Sequence, residues 1–193
     1  MADCKPPKPT RFGLVIFPEF EVLDVFGPLE CLNTLARVSQ FPYANDLTLS
    51  ILAASTNPYT GKDDEFPYPV SSGPAPGDTF PTNWSVAQSL MPTHTFENPP
   101  ELDVLLVPGG YGTGPKTPTG FEPDVGPVID FLQKTFPKVQ YLITVCTGAG
   151  LAARAGLLDG HKATTNKQAW DSVTATGPKT YWVGQARWVV TDD

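Results

Sequence analysis

Short apolar runs alternate along this chain with segments of helical periodicity, and this alternation limits the folds available to it. The runs that predict strands are short and rich in Val, Ile and Leu, and they lie at residues 12–17, 47–53, 102–107 and 141–145. The segments that place apolar residues at helical spacing lie at residues 22–38 and 124–135. This order of strands and helices predicts an α/β fold, a three-layer sandwich around a mostly parallel sheet.

The remaining segments are less regular. Residues 57–100 are rich in proline and turn signals, and they predict an insertion with short β pieces, including a hairpin near residues 68–72 and 78–80. The C-terminal part predicts short elements: a helix at 167–173 and strands at 163–165, 182–183 and 185–190. We interpret residues 1–193 as a single domain, of which residues 1–10 form a flexible tail.

Composition excludes several classes of protein. The net charge of −7 argues against a nucleic-acid partner, because phosphate binding requires clustered Lys and Arg. No apolar run approaches the length of a membrane span, and the N-terminus is polar, so we expect a cytoplasmic protein. Three cysteines and two histidines without metal-ligand spacing predict neither a metal site nor an organic cofactor.

Cys146 stands where the fourth apolar run ends, and small residues and then a helical pattern follow it. Strand, sharp turn and helix in this order predict a nucleophile elbow, which lifts the thiol to the carboxyl edge of the sheet. The N–H groups and dipole of the following helix favour the thiolate, so we expect a nucleophilic or redox-active cysteine. A buried structural cysteine is the alternative. Thr147 adds an N–H and a hydroxyl to the same pocket, or serves as a helix N-cap.

Pro108-Gly109-Gly110 follows the buried run at residues 102–107, which we expect beside the cysteine strand. Paired glycines let a backbone N–H face a reacting atom without an intervening Cβ. The N–H groups of Gly110 and Thr147 are therefore candidates for an oxyanion hole, with Gly109 next to them. An ordinary tight turn is the alternative.

Asp24 is a carboxylate flanked by apolar residues, shortly after the first predicted strand. Burial raises the pKa of a carboxyl group, so Asp24 is our candidate to hydrogen-bond a thiolate or to shuttle a proton. An N-cap or a first-turn acid of the helix is the alternative, and Glu19, Glu21 and Glu30 compete for the acid role. The two histidines lie in a turn signature and in the proline-rich segment, which leaves a Cys–His dyad without support.

Together these motifs resemble the ThiJ/PfpI superfamily, whose fold is flavodoxin-like and of the class I glutamine amidotransferase-like type. The segments that carry the resemblance are Phe17-Pro18 to Gly27-Pro28-Leu29-Glu30, Asp103 to Pro108-Gly109-Gly110, Val145-Cys146-Thr147-Gly148-Ala149, and Ala155-Gly156-Leu157-Leu158-Asp159-Gly160 to Ala163-Thr164-Thr165. Asp at position 24 and Thr after the cysteine are similar to the isocyanide hydratase-like branch.

The resemblance implies a set of roles. Cys146 would be the nucleophile and Asp24 its partner, with Thr147 beside them and with backbone N–H groups of Gly110 and Thr147 facing the substrate. It also implies a homodimer with the first helix near the interface. The thiolate would add to the terminal carbon of a small isocyanide, and an N-substituted formamide would leave without metal or cofactor.

Two departures from the family pattern qualify that expectation. Many relatives carry His directly after the Ala-Thr-Thr strand, where this chain has Asn166. This difference weakens the hypotheses of a protease, an amidotransferase or a His-assisted glyoxalase. Relatives also continue past residue 193 with a further strand and helix, so we expect C-terminal elements to be missing here. A glyoxalase- or deglycase-like activity on 2-oxoaldehydes, a non-enzymatic redox sensor and a ligand-binding module are the alternative functions.

Overall fold

The computed structural model describes residues 8–38, 44–62, 66–74, 87–117, 120 and 122–191. In chain order, its strands are β1 (Arg11–Val15), β2 (Thr48–Ala53), β3 (Val70–Ser71), β4 (Ser89–Leu90), β5 (His94–Thr95), β6 (Val104–Val107), β7 (Tyr141–Thr144), β8 (Lys162–Ala163) and β9 (Tyr181–Trp182). The α-helices of the described part are α1 (Val22–Arg37), α2 (Gly126–Thr135), α3 (Gly148–Arg154) and α4 (Trp170–Thr174). Most of the predicted tail, residues 1–7, lies outside these ranges.

The central sheet has the strand order β5-β2-β1-β6-β7, and each neighbouring pair in it is parallel. All four residues of β6 are buried, because this strand lies inside the sheet and is covered on both faces. β7 is the edge strand in the described part, and its Tyr141 and Ile143 are half exposed. The predicted α/β fold with a mostly parallel sheet is confirmed.

The helices bury apolar residues against this sheet. Val25 and Leu29 of α1 and Phe131 and Leu132 of α2 belong to one hydrophobic cluster with the central strands. Phe131 stacks on Phe96, with ring centroids 4.6 Å apart. Such a contact adds to the burial of both rings and joins α2 to the end of the proline-rich segment.

Two small sheets lie beside the central one. β3 pairs with β4 in antiparallel orientation, and β8 pairs with β9 in parallel orientation. The predicted hairpin therefore has β4 as the partner of the segment at residues 68–72, and its other predicted half, residues 78–80, lies outside the described residues. In the described part of the chain, no helix is long and apolar enough to cross a membrane.

The predicted last strand at residues 185–190 is wrong. That segment forms no ladder, and Trp188 and Val190 are 78% and 76% exposed. A side-chain hydrogen bond reaches it instead, the 3.4 Å bond that the Thr164 hydroxyl donates to the Ala186 carbonyl, and just beyond it the Thr191 hydroxyl donates a 2.8 Å bond to the Lys162 carbonyl. Periodicity alone predicted a strand here, but a strand also needs a neighbour whose backbone groups it can pair with.

Candidate functional site

The carboxyl ends of three adjacent strands meet at one edge of the sheet. Since β1, β6 and β7 are parallel neighbours, the segments that follow them come together there. These segments carry Asp24 in α1, Gly109 and Gly110 after β6, and Cys146 after β7. The Gly109 N–H donates a 3.0 Å hydrogen bond to Asp24 Oδ2, so two of the three segments are joined directly.

Cys146 occupies a strained turn between β7 and α3. Its φ is +56°, in the left-handed region, which costs a non-glycine residue about 1–2 kcal/mol. The Thr165 hydroxyl donates a 2.8 Å hydrogen bond to the Cys146 carbonyl, and the Gly148 N–H donates a 2.9 Å bond to the Val145 carbonyl. Strain that is held by surrounding contacts in this way is typical of functional sites. The turn has the strand–turn–helix form that the sequence predicts, and the nucleophilic role of its cysteine stays a prediction.

The glycine turn after β6 is locked to the segment that precedes α1. Gly110 has φ +139° and forms an isolated antiparallel bridge with Phe20. A Cβ on Gly110 would lie 2.3 Å from the Glu19 carbonyl oxygen, so only glycine fits this position. The Glu21 N–H also donates a 2.8 Å hydrogen bond to the Gly109 carbonyl. These contacts hold α1 and its Asp24 against the turn.

Asp24 lies in the first turn of α1, but it does not cap the helix. Its carboxyl group is half-buried, and this burial raises its pKa, in the direction that the sequence predicts. Hydrogen bonds from the Gly109 N–H and from the Cys146 thiol act in the opposite direction and stabilise the carboxylate. Asp24 is therefore a first-turn acid of α1, as one alternative predicted, and its carboxyl group also contacts the cysteine.

The Cys146 sulfur has three polar neighbours. Asn166 Nδ2 lies 3.1 Å from Sγ, the Thr147 N–H donates to the sulfur, and the thiol and the Asp24 carboxyl share a hydrogen bond. The Asp24 carboxylate is an acceptor only, so in the resting pair the S–H donates to it.

Burial raises the pKa of the Cys146 thiol, and the negative charge of Asp24 raises it further. The hydrogen bonds from Asn166 and from the Thr147 N–H lower it but do not outweigh the two larger effects. The Thr147 N–H at the start of α3 thus favours the thiolate, as the sequence predicts, but burial and Asp24 outweigh it in the resting site. α3 has only seven residues, and the adjacent carboxylate opposes a second negative charge.

The two glycine N–H groups are engaged inside the protein. Gly109 donates to Asp24, and the Gly110 N–H donates a 3.0 Å hydrogen bond to Thr147 Oγ1, which also accepts a 2.9 Å bond from the Thr113 hydroxyl. The Gly110 N–H thus points at a side chain rather than at the sulfur. An oxyanion role for Gly110 and Thr147 stays a prediction, and for Gly110 it requires the bond to Thr147 to be exchanged.

Cys146 also lines a cleft of about 790 Å³ between the edge strand β7 and the segment at residues 186–191. Of the residues that the structure describes, the cleft walls include Asn166 and the cationic side chains of Lys162, Lys167 and Arg187, but no Asp or Glu. His161 lines the same cleft. Among the described residues, no three His, Cys, Asp or Glu side chains gather as a metal site.

The other two cysteines are separate from this site. Cys31 is exposed on α1. Cys4 lies outside the described residues. Within the described part, Cys146 is thus the cysteine that lies among polar partners.

Sequence reasoning noted Asn166 only as a departure from a family pattern. The structure places it in direct contact with the Cys146 sulfur, 20 residues away along the chain. Its position directly after the predicted strand at residues 163–165 was the available signal, since that strand end also meets the carboxyl edge of the sheet. Which atom the Asn166 side chain contacts could not be predicted, because it depends on the path by which the chain returns to the carboxyl edge of the sheet.

The chain matches the model of the DJ-1/PfpI family over residues 11–193. It is 30% identical to an isonitrile hydratase of Pseudomonas putida over 86% of this chain and 57% of that protein. It therefore spans little more than half the length of that relative.

Solved structures show the same fold. A ThiJ/PfpI family protein from Pseudomonas syringae superposes with a TM-score of 0.62 at 23% identity, covering 100% of this chain and 66% of the other. An AraC family transcriptional regulator from Pseudomonas putida superposes with a TM-score of 0.61 at 17% identity, covering 94% of this chain and 80% of the other. At these identities the likeness concerns the fold alone.

Proposed function

Because the chain belongs to the DJ-1/PfpI family, we propose that it hydrates a small isocyanide to an N-substituted formamide through an adduct on Cys146. The observation that carries this proposal is the pairing of the Cys146 thiol with the half-buried Asp24 carboxyl at a strained elbow. The similarity to an isonitrile hydratase supports the substrate class.

The first half of the reaction forms the adduct. The S–H proton moves to the Asp24 carboxylate, and the sulfur forms a bond to the terminal carbon of R–N≡C. Asp24 then gives the proton to that carbon, which leaves a neutral thioimidate, R–N=CH–S. A carboxyl group whose pKa is raised by burial suits both halves of this transfer, because it accepts and returns a proton readily.

The second half consumes water. The Asp24 carboxylate takes a proton from a water molecule, whose oxygen bonds to the thioimidate carbon, while the nitrogen receives the proton. The C–S bond then breaks, the hydroxyl proton returns through Asp24 to the sulfur, and R–NH–CHO leaves. One water is consumed and the thiol is restored. The Thr147 N–H stabilises the sulfur when it leaves as an anion.

The test compares substrates on the wild-type protein. An aliphatic isocyanide and methylglyoxal are assayed in parallel, with the formamide and lactate quantified by chromatography. Formamide production with no methylglyoxal turnover supports the proposal. Turnover of methylglyoxal alone favours the 2-oxoaldehyde reaction, and turnover of neither favours sensing or ligand binding.

We also propose that the protein is a homodimer that pairs through the start of α1. Leu23 and Phe26 flank Asp24 on this helix and are 73% and 38% exposed, which is unusual for large apolar side chains. Covering them would also bring a second subunit close to Asp24. Replacing Leu23 by Glu is expected to turn a dimer into a monomer in light scattering after gel filtration. A wild-type protein that is monomeric at all concentrations would contradict this.

A further inference from the structure

Asn166 contacts the sulfur of the candidate nucleophile from the side of α4. Its Nδ2 lies 3.1 Å from Cys146 Sγ, and the neighbouring Thr165 holds the Cys146 carbonyl with a 2.8 Å hydrogen bond. Two consecutive residues after β8 therefore contact the elbow, one at its backbone and one at its reactive atom. None of the steps proposed above uses the Asn166 side chain.

The orientation of this amide is set by its other end. Asn166 Oδ1 accepts hydrogen bonds from the Gln168 N–H at 2.8 Å and from the Ala169 N–H at 3.0 Å. Both partners are donors, so they must face the amide oxygen, and the NH₂ group must face the sulfur. The amide is thus held at one end by the backbone that leads into α4, and it presents a donor to Cys146 at the other.

A donor in this position has different effects on the two forms of the cysteine. A neutral thiol is a weak acceptor, whereas a thiolate is charged, and hydrogen bonds to charged groups are about twice as strong as neutral ones. The amide does not ionise between pH 4 and 10, so its donor is present throughout the working range. We propose that the Asn166 carboxamide is a catalytic hydrogen-bond donor that stabilises and orients the Cys146 thiolate formed when the proton moves to Asp24.

This inference rests on the proposed role of Cys146 as a nucleophile. Several charged groups lie near the same sulfur. Asp24 reaches the sulfur from α1, and Glu21 adds negative charge next to it. Further titratable or charged groups line the cleft on the side of β7, β8 and the C-terminal segment: Tyr141, His161, Lys162, Lys167 and Arg187. The test must therefore change the donor without changing these groups.

The informative variant is Asn166→Asp. A carboxylate still accepts from the Gln168 and Ala169 N–H groups, but it offers the sulfur an acceptor and a negative charge. We expect alkylation of Cys146 by iodoacetamide at pH 7, followed by peptide mass spectrometry, to slow at least tenfold, and its pH profile to move to higher pH. Asn166→Ala is expected to slow the alkylation and to shift its pH profile in the same direction, but by less. Asn166→His is expected to add a second ionisation near pH 6–7 to the profile. Asn98→Asp, the same substitution at an exposed position that does not line the cleft, is the matched control and is expected to leave the profile unchanged.

The readouts separate the possible failures. A wild-type alkylation profile for Asn166→Asp would overturn the inference. This holds even if the variant melts at a lower temperature, because Asn166 would then have only a structural role. If the wild-type protein turns over no isocyanide but the profile shifts as expected, the donor role stands and the proposed reaction fails. If isocyanide turnover by Asn166→Asp equals that of the wild type, the inference fails and the proposed reaction stands.

Discussion

Gly109 offers a sharp test of how tightly the glycine turn and the cysteine elbow are packed. A Cβ at this buried position would lie 2.6 Å from the Thr147 nitrogen, 2.7 Å from Thr147 Oγ1 and 2.8 Å from Cys146 Cβ. Two of these atoms belong to the elbow backbone or to the first carbon of its side chain, so no flexible side chain can turn away. Gly109→Ala must therefore move the turn away from the elbow.

The expected cost follows from overpacking. Forcing an extra methyl group into a packed site costs about 1–3 kcal/mol, and about 2 kcal/mol lowers the melting temperature of a protein of this size by about 4–8 °C. The displacement also separates the elements that carry Asp24 and Cys146. A shift of up to 1 Å in such a site costs up to about 100-fold in rate, so we expect isocyanide turnover to fall at least tenfold.

Gly156→Ala is the matched control for this experiment. Gly156 has φ +78°, but no atom lies within 4 Å of the position that a Cβ would occupy. Its cost is backbone strain alone, about 1 kcal/mol, and turnover should be unchanged because the residue follows α3, away from the sulfur. Thermal unfolding and turnover are measured for both variants. Wild-type melting and wild-type turnover for Gly109→Ala would refute the packing argument.

Two further predictions concern ionisable groups. Asp24→Asn is expected to lower isocyanide turnover by at least 100-fold, because the proton acceptor is lost, yet to speed alkylation of Cys146 at pH 7, because the carboxylate charge no longer raises the thiol pKa. A joint loss of turnover and alkylation would contradict the pairing. Asp103 is buried and accepts hydrogen bonds from Arg11 and from two backbone N–H groups, which hold its pKa well below the usual range. Its contribution to stability is therefore present above the unfolded pKa of about 4 and is lost as the pH falls below that value. Urea unfolding of Asp103→Asn between pH 7 and 2 should show a lower free energy of unfolding at pH 7 and a weaker decline in acid, and an unchanged decline would contradict this.

The sequence predicted the central strands and the long helices because the pattern of apolar residues within each segment determines how that segment is buried. An apolar run such as Val104–Val107 has to be buried on both faces, and the apolar spacing of Val25 and Leu29 gives one buried helix face. The position of β5 was not predicted, although short β pieces were expected in residues 57–100. This strand consists of two residues in the proline-rich segment, and its pairing with β2, Leu52 opposite His94, depends on backbone groups rather than on a side-chain pattern.

The sequence predicted most residues of the candidate site, but not which hydrogen bonds join them. The elbow, the glycine turn and Asp24 each follow a predicted strand, so their meeting at one edge follows from the topology. That the Gly110 N–H would bond to Thr147, and that Asn166 would reach the sulfur, depends on distances that only the folded chain fixes. The rise in the thiol pKa was not predicted, because the sequence shows the N–H groups of the following helix but not how deeply the sulfur is buried.

The proposed reaction passes through the Cys146 sulfur. Its most direct test is the rate of formamide production from an isocyanide by Cys146→Ala, measured beside Cys31→Ala, in which an exposed thiol on α1 is removed. We expect Cys146→Ala to produce formamide no faster than buffer alone, and Cys31→Ala to keep the wild-type rate. Formamide production by Cys146→Ala at the wild-type rate would contradict the proposed reaction.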